Sequence, residues 1–217
     1  MNNLIFIHGG DSFLDDSSYV DFLQKSYVPS YSKPWEDVSK KDYRVPMARK
    51  WVQEGWKVYY PTMPNKQNAR YRDWKIIFDG IIEKLSTGDR LTLVWWSLGG
   101  CFLLKYFGEI EKYDGTPQTE TQEKINLLFI ENIHLVAACI SEWDFTATEN
   151  YDTLRSLGSK VHIWHSQDDL IVPFSTAESL QKQLPAAQTH FFWSEKWYGH
   201  FHGIERLPEL EAVLLQK

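Results

Sequence analysis

Cysteine is scarce in this chain, with two among 217 residues, Cys101 and Cys139. Two sulfurs make no disulfide framework. Cys101 falls in a predicted helix and Cys139 near the end of a predicted strand, so both are read as small buried hydrophobes rather than as a disulfide or a metal pair. No stretch approaches the ~20 apolar residues that a membrane-spanning helix needs. The apolar run near the N-terminus, Leu4 to Ile7, is short and leads into His8-Gly9-Gly10, as a strand does and a signal peptide does not. A cytoplasmic location without a membrane partner is expected. Basic charge is not in excess either: the net charge is −6, which argues against a nucleic-acid partner. Internal repeats, low-complexity tracts and linkers are missing, so residues 1–217 read as one domain.

What is abundant is aromatic. Rings make up 15% of the chain, ten of them tryptophans, within an otherwise ordinary 43% hydrophobic and 24% charged composition. So many rings must line a core or a large pocket, because exposed they would drive association. A domain of this size hides roughly 70% of its unfolded surface and needs no staple.

Strand and helix patterns alternate. Leu4–Ile7 is the first strand, 46–54 a helix closed by Gly55, and Trp56–Tyr60 the second strand. Residues 71–85 carry an apolar stripe at helical spacing (Trp74, Ile77, Phe78, Ile81, Ile82, Leu85). Leu91–Trp96 is apolar without alternation, as a strand covered on both faces is. A helix over 98–107 follows, and Asp114-Gly115-Thr116-Pro117 breaks the chain. Further strands are expected at Ile133–Ile140, Val161–Trp164 and Thr189–Trp193, with helices near 150–157, 175–184 and 206–216. This order predicts an α/β fold, a three-layer sandwich around a mainly parallel sheet of about six strands.

Residues 12–45 form a connection far longer than the usual 2–6 residues. It is rich in rings and leaves the carboxyl end of the first strand, where open α/β sheets place their sites. It is read as a lid or pocket wall. Residues 30–75 carry eleven Lys/Arg against five Asp/Glu, a local +6 that leaves −12 for the remainder. That excess suits an aromatic or anionic small-molecule substrate, or else simply a solvated face.

Three short segments carry the chemistry. Ser97 lies in Trp95-Trp96-Ser97-Leu98-Gly99-Gly100, Asp169 in Asp168-Asp169-Leu170-Ile171-Val172-Pro173, and His200 in Gly199-His200-Phe201. Each follows a predicted strand. A serine hydroxyl needs a base to take its proton, and the base needs an acid to hold its orientation. Among seven histidines, His134 and His162 lie inside strands and read as core. His202 would face away from His200 on an extended backbone, and a His-x-His pair without further ligands at metal spacing does not make a metal site. Glu142 or Asp144, after the fourth strand, is a rival acid.

These segments resemble the nucleophile elbow, acid loop and histidine loop of the α/β-hydrolases. The pairing of Asp-Asp-x-x-x-Pro with Gly-His-Phe resembles the compact members related to the retinoblastoma-binding serine hydrolase. The resemblance implies a serine hydrolase of esterase type that needs no cofactor and no metal. Ser97 would be the nucleophile, Asp169 the acid and His200 the base, with an oxyanion hole from the backbone N–H groups of Leu98 and Gly10. The substrate would be a small acyl compound. One departure stands out: Trp95 replaces the first glycine of Gly-x-Ser-x-Gly. An indole there should crowd the strand–helix crossing. A binding protein on a hydrolase scaffold, with an elbow distorted at Trp95, is the alternative.

Overall fold

The computed structural model describes residues 1–25, 43–110, 120–146, 150–193 and 196–215. Six strands form one sheet in the order β2-β1-β3-β4-β5-β6, every pair parallel. They are β1 (Asn2–Ile7), β2 (Lys57–Tyr59), β3 (Arg90–Trp96), β4 (Phe129–Val136), β5 (Val161–Ser166) and β6 (Gln188–Phe192). The helices among the described residues are α1 (Asp16–Lys25), α2 (Arg44–Gln53), α3 (Tyr71–Ile82), α4 (Leu98–Ile110), α5 (Glu120–Asn126), α6 (Asp152–Leu157), α7 (Phe174–Gln183) and α8 (Pro208–Leu215).

Side chains alternate across the strands and build two cores. Ile5, Ile7, Leu93, Trp95, Ile133, Leu135 and Ile163 face α3, α4, α6 and α7. Leu4, Phe6, Val94, Val136 and Trp164 face Met47 and Trp51 of α2 and Leu210 and Leu214 of α8. This is the expected three-layer arrangement. The chain runs from β1 to β2 at one edge and then crosses back over β1 to β3. The switch in direction therefore opens a crevice at the carboxyl ends of β1 and β3, where ligands of such sheets bind.

Several element bounds differ from expectation, and α5 is a helix that was not expected; β4 differs most. β4 starts at Phe129 and stops at Val136, not Ile140, because Ala137 takes a left-handed conformation (φ +45°) that turns the chain out of the sheet. Its first half was disguised by Glu131 and Asn132, polar residues with partners of their own: Arg90 pairs with Glu131, and His162 reaches Asn132 Oδ1 at 3.3 Å. Within 12–45, α1 is an unexpected helix, opened by Asp15, whose carboxylate accepts the Ser18 N–H and hydroxyl at 2.7 and 2.8 Å. Most of the segment read as a lid, residues 26–42, lies outside the described residues, as does Asp114-Gly115-Thr116-Pro117. No helix among the described residues is long and apolar enough to cross a membrane.

The cysteine reading is corrected: Cys101 and Cys139 form a disulfide. The physical reason is a close approach that sequence spacing does not show. A Cβ on Gly100 would stand 2.2 Å from Ala138 Cβ. Only glycine there lets α4 come near enough to the end of β4 to put the Cα atoms of 101 and 139 at 5.2 Å, within disulfide range.

His134 and His162 are core residues, as expected, and they form a ladder with His190 across β4, β5 and β6. Their rings stack at 4.5 and 5.3 Å, and Trp164 lies 3.6 Å from His190 and donates its indole N–H to His134 Nδ1. Burial disfavours the imidazolium in all three, and brings His162 down to about 4. Unfolded, these histidines take protons near 6.5, so acid favours the unfolded chain. The stabilisation is complete above about pH 6.5 and is lost as pH falls toward 4. His162 alone should remove about 2 kcal/mol of unfolding free energy between pH 7 and pH 5. Urea unfolding at the two pH values measures this, and His162→Gln should flatten the dependence.

Candidate active site

Ser97 follows the last residue of β3 and precedes the first of α4. Its φ is +55°, a left-handed conformation costing on the order of 1–3 kcal/mol for a residue with a side chain. Two backbone bonds hold it: Ser97 N–H donates to Val136 O at 3.0 Å, and Ser97 O accepts from Gly100 N–H at 2.8 Å. Gly9 packs against it from the loop after β1, where a Cβ would stand 2.8 Å from Ser97 Cβ.

Trp95 does not distort this turn. Its side chain points away from the cavity into the α3/α4 core, fully buried, stacked on Phe102 at 5.2 Å and 14° and edge-on to Phe78 at 5.1 Å. The strand–helix crossing is relieved instead at Gly100 against Ala138. The expected crowding is therefore absorbed by a ring stack.

His200 meets Ser97 from 103 residues away: its Nε2 lies 2.8 Å from Ser97 Oγ. Its Nδ1 lies 2.8 Å from Asp169 Oδ2. The other oxygen of Asp169 accepts the backbone N–H groups of Ile171 and Val172, each at 2.9 Å. Burial would raise this carboxyl, but the His200 and backbone bonds outweigh it and hold Asp169 below the ordinary aspartate value. An ionised acceptor facing Nδ1 fixes the proton there and leaves Nε2 free to accept the serine proton. Of the two rival acids, Asp144 is engaged elsewhere. Asp144 Oδ2 accepts Tyr71 N–H at 2.6 Å, at the start of α3, and burial, with Asp11 nearby, raises Glu142.

Three further residues hold the histidine loop, and the sequence reading gave none of them this role. Asp168 Oδ1 accepts the Gly199 N–H at 3.0 Å and the Ser166 hydroxyl at 2.5 Å, while Ser166 Oγ accepts the Tyr198 N–H at 3.2 Å. On the other side, Trp96 donates its indole N–H to the His200 carbonyl at 2.8 Å. These bonds bracket a backbone that is left-handed on both sides of His200, at Gly199 (φ +52°) and Phe201 (φ +54°). The adjacent acids thus divide the work: Asp168 fixes the loop's backbone, and Asp169 fixes the ring. The Asp-Asp pair was the available signal, but only the fold shows that the first acid also has a partner.

The turn at Phe201 also corrects the placing of His202. With the backbone kinked rather than extended, His202 stacks on Trp96 at 6.0 Å and lines the same cavity as His200. His8 lines it from β1. Its Nε2 accepts Met63 N–H at 2.9 Å and its Nδ1 donates to Gly9 O at 2.6 Å, which requires a neutral ring. Burial lowers its proton affinity, the bond to Gly9 opposes this, and the charges of Arg44 and Lys66 lower it further.

The cavity measures about 620 Å³, within the range of small-ligand sites. Ser97, His200 and Gly10 all line it, while Leu98 is buried at the start of α4. The Leu98 N–H has no acceptor within its own helix, as the first N–H groups of any helix lack one. Gly10 is held in place where a Cβ would stand 2.4 Å from Lys66 O. The arrangement can move a proton from a hydroxyl to an imidazole backed by a carboxylate. No group of three or more His, Cys, Asp or Glu able to hold a metal ion occurs among the described residues.

The bracket around His200 can be tested. Asp168→Ala removes the acceptor of the Gly199 N–H, a bond to a charged group worth about 1.5–3 kcal/mol. It is expected to slow phosphonylation of Ser97 by a fluorophosphonate by about tenfold or more, with Asp168→Asn recovering most of the rate. Melting curves of both variants show whether the fold is kept.

No protein-family model matches the chain, and no curated protein matches it in sequence. Solved structures do. The ydeN gene product of B. subtilis superposes with a TM-score of 0.65 at 18% identity, covering 99% of this chain and 97% of that one. A meta-cleavage product hydrolase from Pseudomonas fluorescens gives 0.57 at 14%, covering 99% and 89%. An esterase from Exiguobacterium antarcticum gives 0.52 at 12%, covering 99% and 91%. With its parallel sheet, its strand–helix turn at Ser97 and these likenesses along nearly its whole length, the chain has the α/β-hydrolase fold.

Proposed function

We propose that this chain is a serine hydrolase of esterase type, acting on a small acyl substrate through an acyl-enzyme on Ser97. The observation that carries the reading is the imidazole of His200 standing 2.8 Å from Ser97 Oγ on one side and 2.8 Å from Asp169 Oδ2 on the other. The hydrolases and esterases among the structural neighbours support it.

The chemistry follows from the geometry. His200 Nε2 takes the Ser97 proton as Oγ attacks the acyl carbon, and Asp169 stabilises the imidazolium that forms. The carbonyl oxygen becomes an oxyanion that accepts the N–H groups of Leu98 and Gly10, donors of a kind worth about 10²–10³ each in rate. His200 then returns the proton to the leaving group, which departs and leaves Ser97 acylated. Water repeats the sequence: His200 takes its proton, its oxygen attacks the acyl carbon, and the acid leaves as Oγ regains a proton. The reaction consumes water and needs no other reactant.

The reading of a binding protein with a spoiled elbow is disfavoured by Trp95, which is stacked in the core away from Ser97. Purified protein is expected to hydrolyse 4-nitrophenyl butyrate and to be labelled by a fluorophosphonate. Ser97→Ala should abolish labelling and lower kcat by at least about 10⁴-fold, and Asp169→Asn should lower kcat by about 10³–10⁴-fold. Turnover undiminished in Ser97→Ala would refute the assignment.

A further inference from the structure

His165 takes no part in the proton transfers above, yet it stands directly behind them. It is the last residue but one of β5 and is fully buried, its ring edge-on at 5.9 Å to Phe174, the first residue of α7. Its Nε2 lies 2.9 Å from Val172 O and 3.5 Å from Asp169 Oδ2. A carbonyl oxygen can only accept, so Nε2 carries a proton and donates it to Val172. Asp169 Oδ2 is also the oxygen that faces His200, at 2.8 Å. Two imidazoles therefore approach one carboxylate oxygen, and the mechanism uses only one of them. Burying the second costs desolvation that an apolar side chain in its place would not.

We propose that His165 is a positioning residue that locks the acid loop, residues 169–172, and through it aims Asp169 at His200. The proposal rests on the hydrolase reading above and adds a part that acts through Asp169 alone. Three features carry it. First, the tip of the loop has little apolar anchorage: Leu170 is 97% exposed and Ile171 69%. Packing of those side chains does not hold it, so hydrogen bonds must. Second, those bonds close a circuit. Asp169 N–H donates to Ser166 O at 3.2 Å, and the N–H groups of Ile171 and Val172 donate to Asp169 Oδ1. Val172 is thus held at both of its backbone groups, its N–H by the acid and its carbonyl by His165. Third, the donor is neutral. Burial disfavours a proton on His165, and so does His200 from the loop after β6, against the opposing bond to Val172 and charge of Asp169. A neutral ring leaves the carboxylate's charge to the imidazolium that forms on His200, where a second cation would compete for it.

The consequence falls on chemistry rather than on substrate binding, because His165 is not among the described residues that line the cavity. Without its N–H the Val172 carbonyl loses its partner, the loop loosens, and Asp169 no longer meets His200 Nδ1 at a fixed angle. The proton on His200 is then less firmly kept at Nδ1, and Nε2 is less often free to take the serine proton.

The test uses the full chain and two substitutions. His165→Phe keeps a ring and removes the N–H, whereas His165→Gln offers an amide N–H close to where Nε2 stands. With 4-nitrophenyl butyrate, His165→Phe should lower kcat about tenfold or more and leave KM within about twofold, and melting curves show that the fold is kept. His165→Gln should bring kcat back to within about threefold of the unsubstituted protein. The proton between His200 and Asp169 gives a far-downfield NMR resonance, expected to persist in His165→Gln and to shift or broaden in His165→Phe. A loss smaller than about tenfold in a folded His165→Phe, a loss that falls on KM, or an equal loss in His165→Gln overturns the proposal. If His165→Phe does not fold, the nitrogen shifts of the unsubstituted ring decide: a proton on Nε2 supports the lock, and a proton on Nδ1 overturns it. If Ser97 resists a fluorophosphonate and no ester turns over, the hydrolase reading fails and the downfield resonance decides alone. Its loss in His165→Phe with retention in His165→Gln supports the lock, and no difference between the two overturns it.

Discussion

Ser97 leaves the sheet in a left-handed conformation, and it can do so only because α4 turns back tightly over the end of β4. The contact of Gly100 with Ala138 sets that distance. From it follow the bonds that fix the serine backbone and the meeting of Cys101 with Cys139. A side chain at position 100 would push the helix outward and displace both together. The local strain at Ser97 is the cost of presenting a hydroxyl at a fixed point above the sheet.

The histidine loop answers the same requirement from the far side of the chain. His200 stands between two left-handed residues and would not keep its place unaided. Its backbone is tied to β5 through Asp168 and Ser166 and to β3 through the indole of Trp96, and its ring is tied to Asp169 and Ser97. The same tryptophan carries Arg44 on its face. Trp95 and Trp96, adjacent in sequence, serve opposite sides of the sheet, one stacked in the α3/α4 core and the other forming the wall of the cavity. Much of the high aromatic content is spent in this way, on ring contacts that run from the core to the site.

Burial has a different consequence for the histidines. Burial disfavours a proton on His134, His162 and His190, so acid is expected to destabilise the fold, and two of the three lie on the sheet edge formed by β5 and β6. That edge bears the acid loop and the histidine loop.

The sequence by itself determined the alternating α/β order and the parallel sheet, and it singled out Ser97, Asp169 and His200, which the structure brings together, because these are local matters. Strand-end positions, helical stripes and turn residues leave short-range patterns, and strand ends of a parallel sheet all emerge at one edge. It did not determine where β4 stops, that Cys101 faces Cys139, that Asp168 holds Gly199, that His202 turns into the cavity, or that Trp95 is harmless. Each of those depends on a distance between residues far apart in the chain, or on a backbone angle imposed by packing. Only the tertiary structure decided them, since close approach at a glycine and a left-handed turn beside His200 are properties of neighbours in space that no single segment encodes.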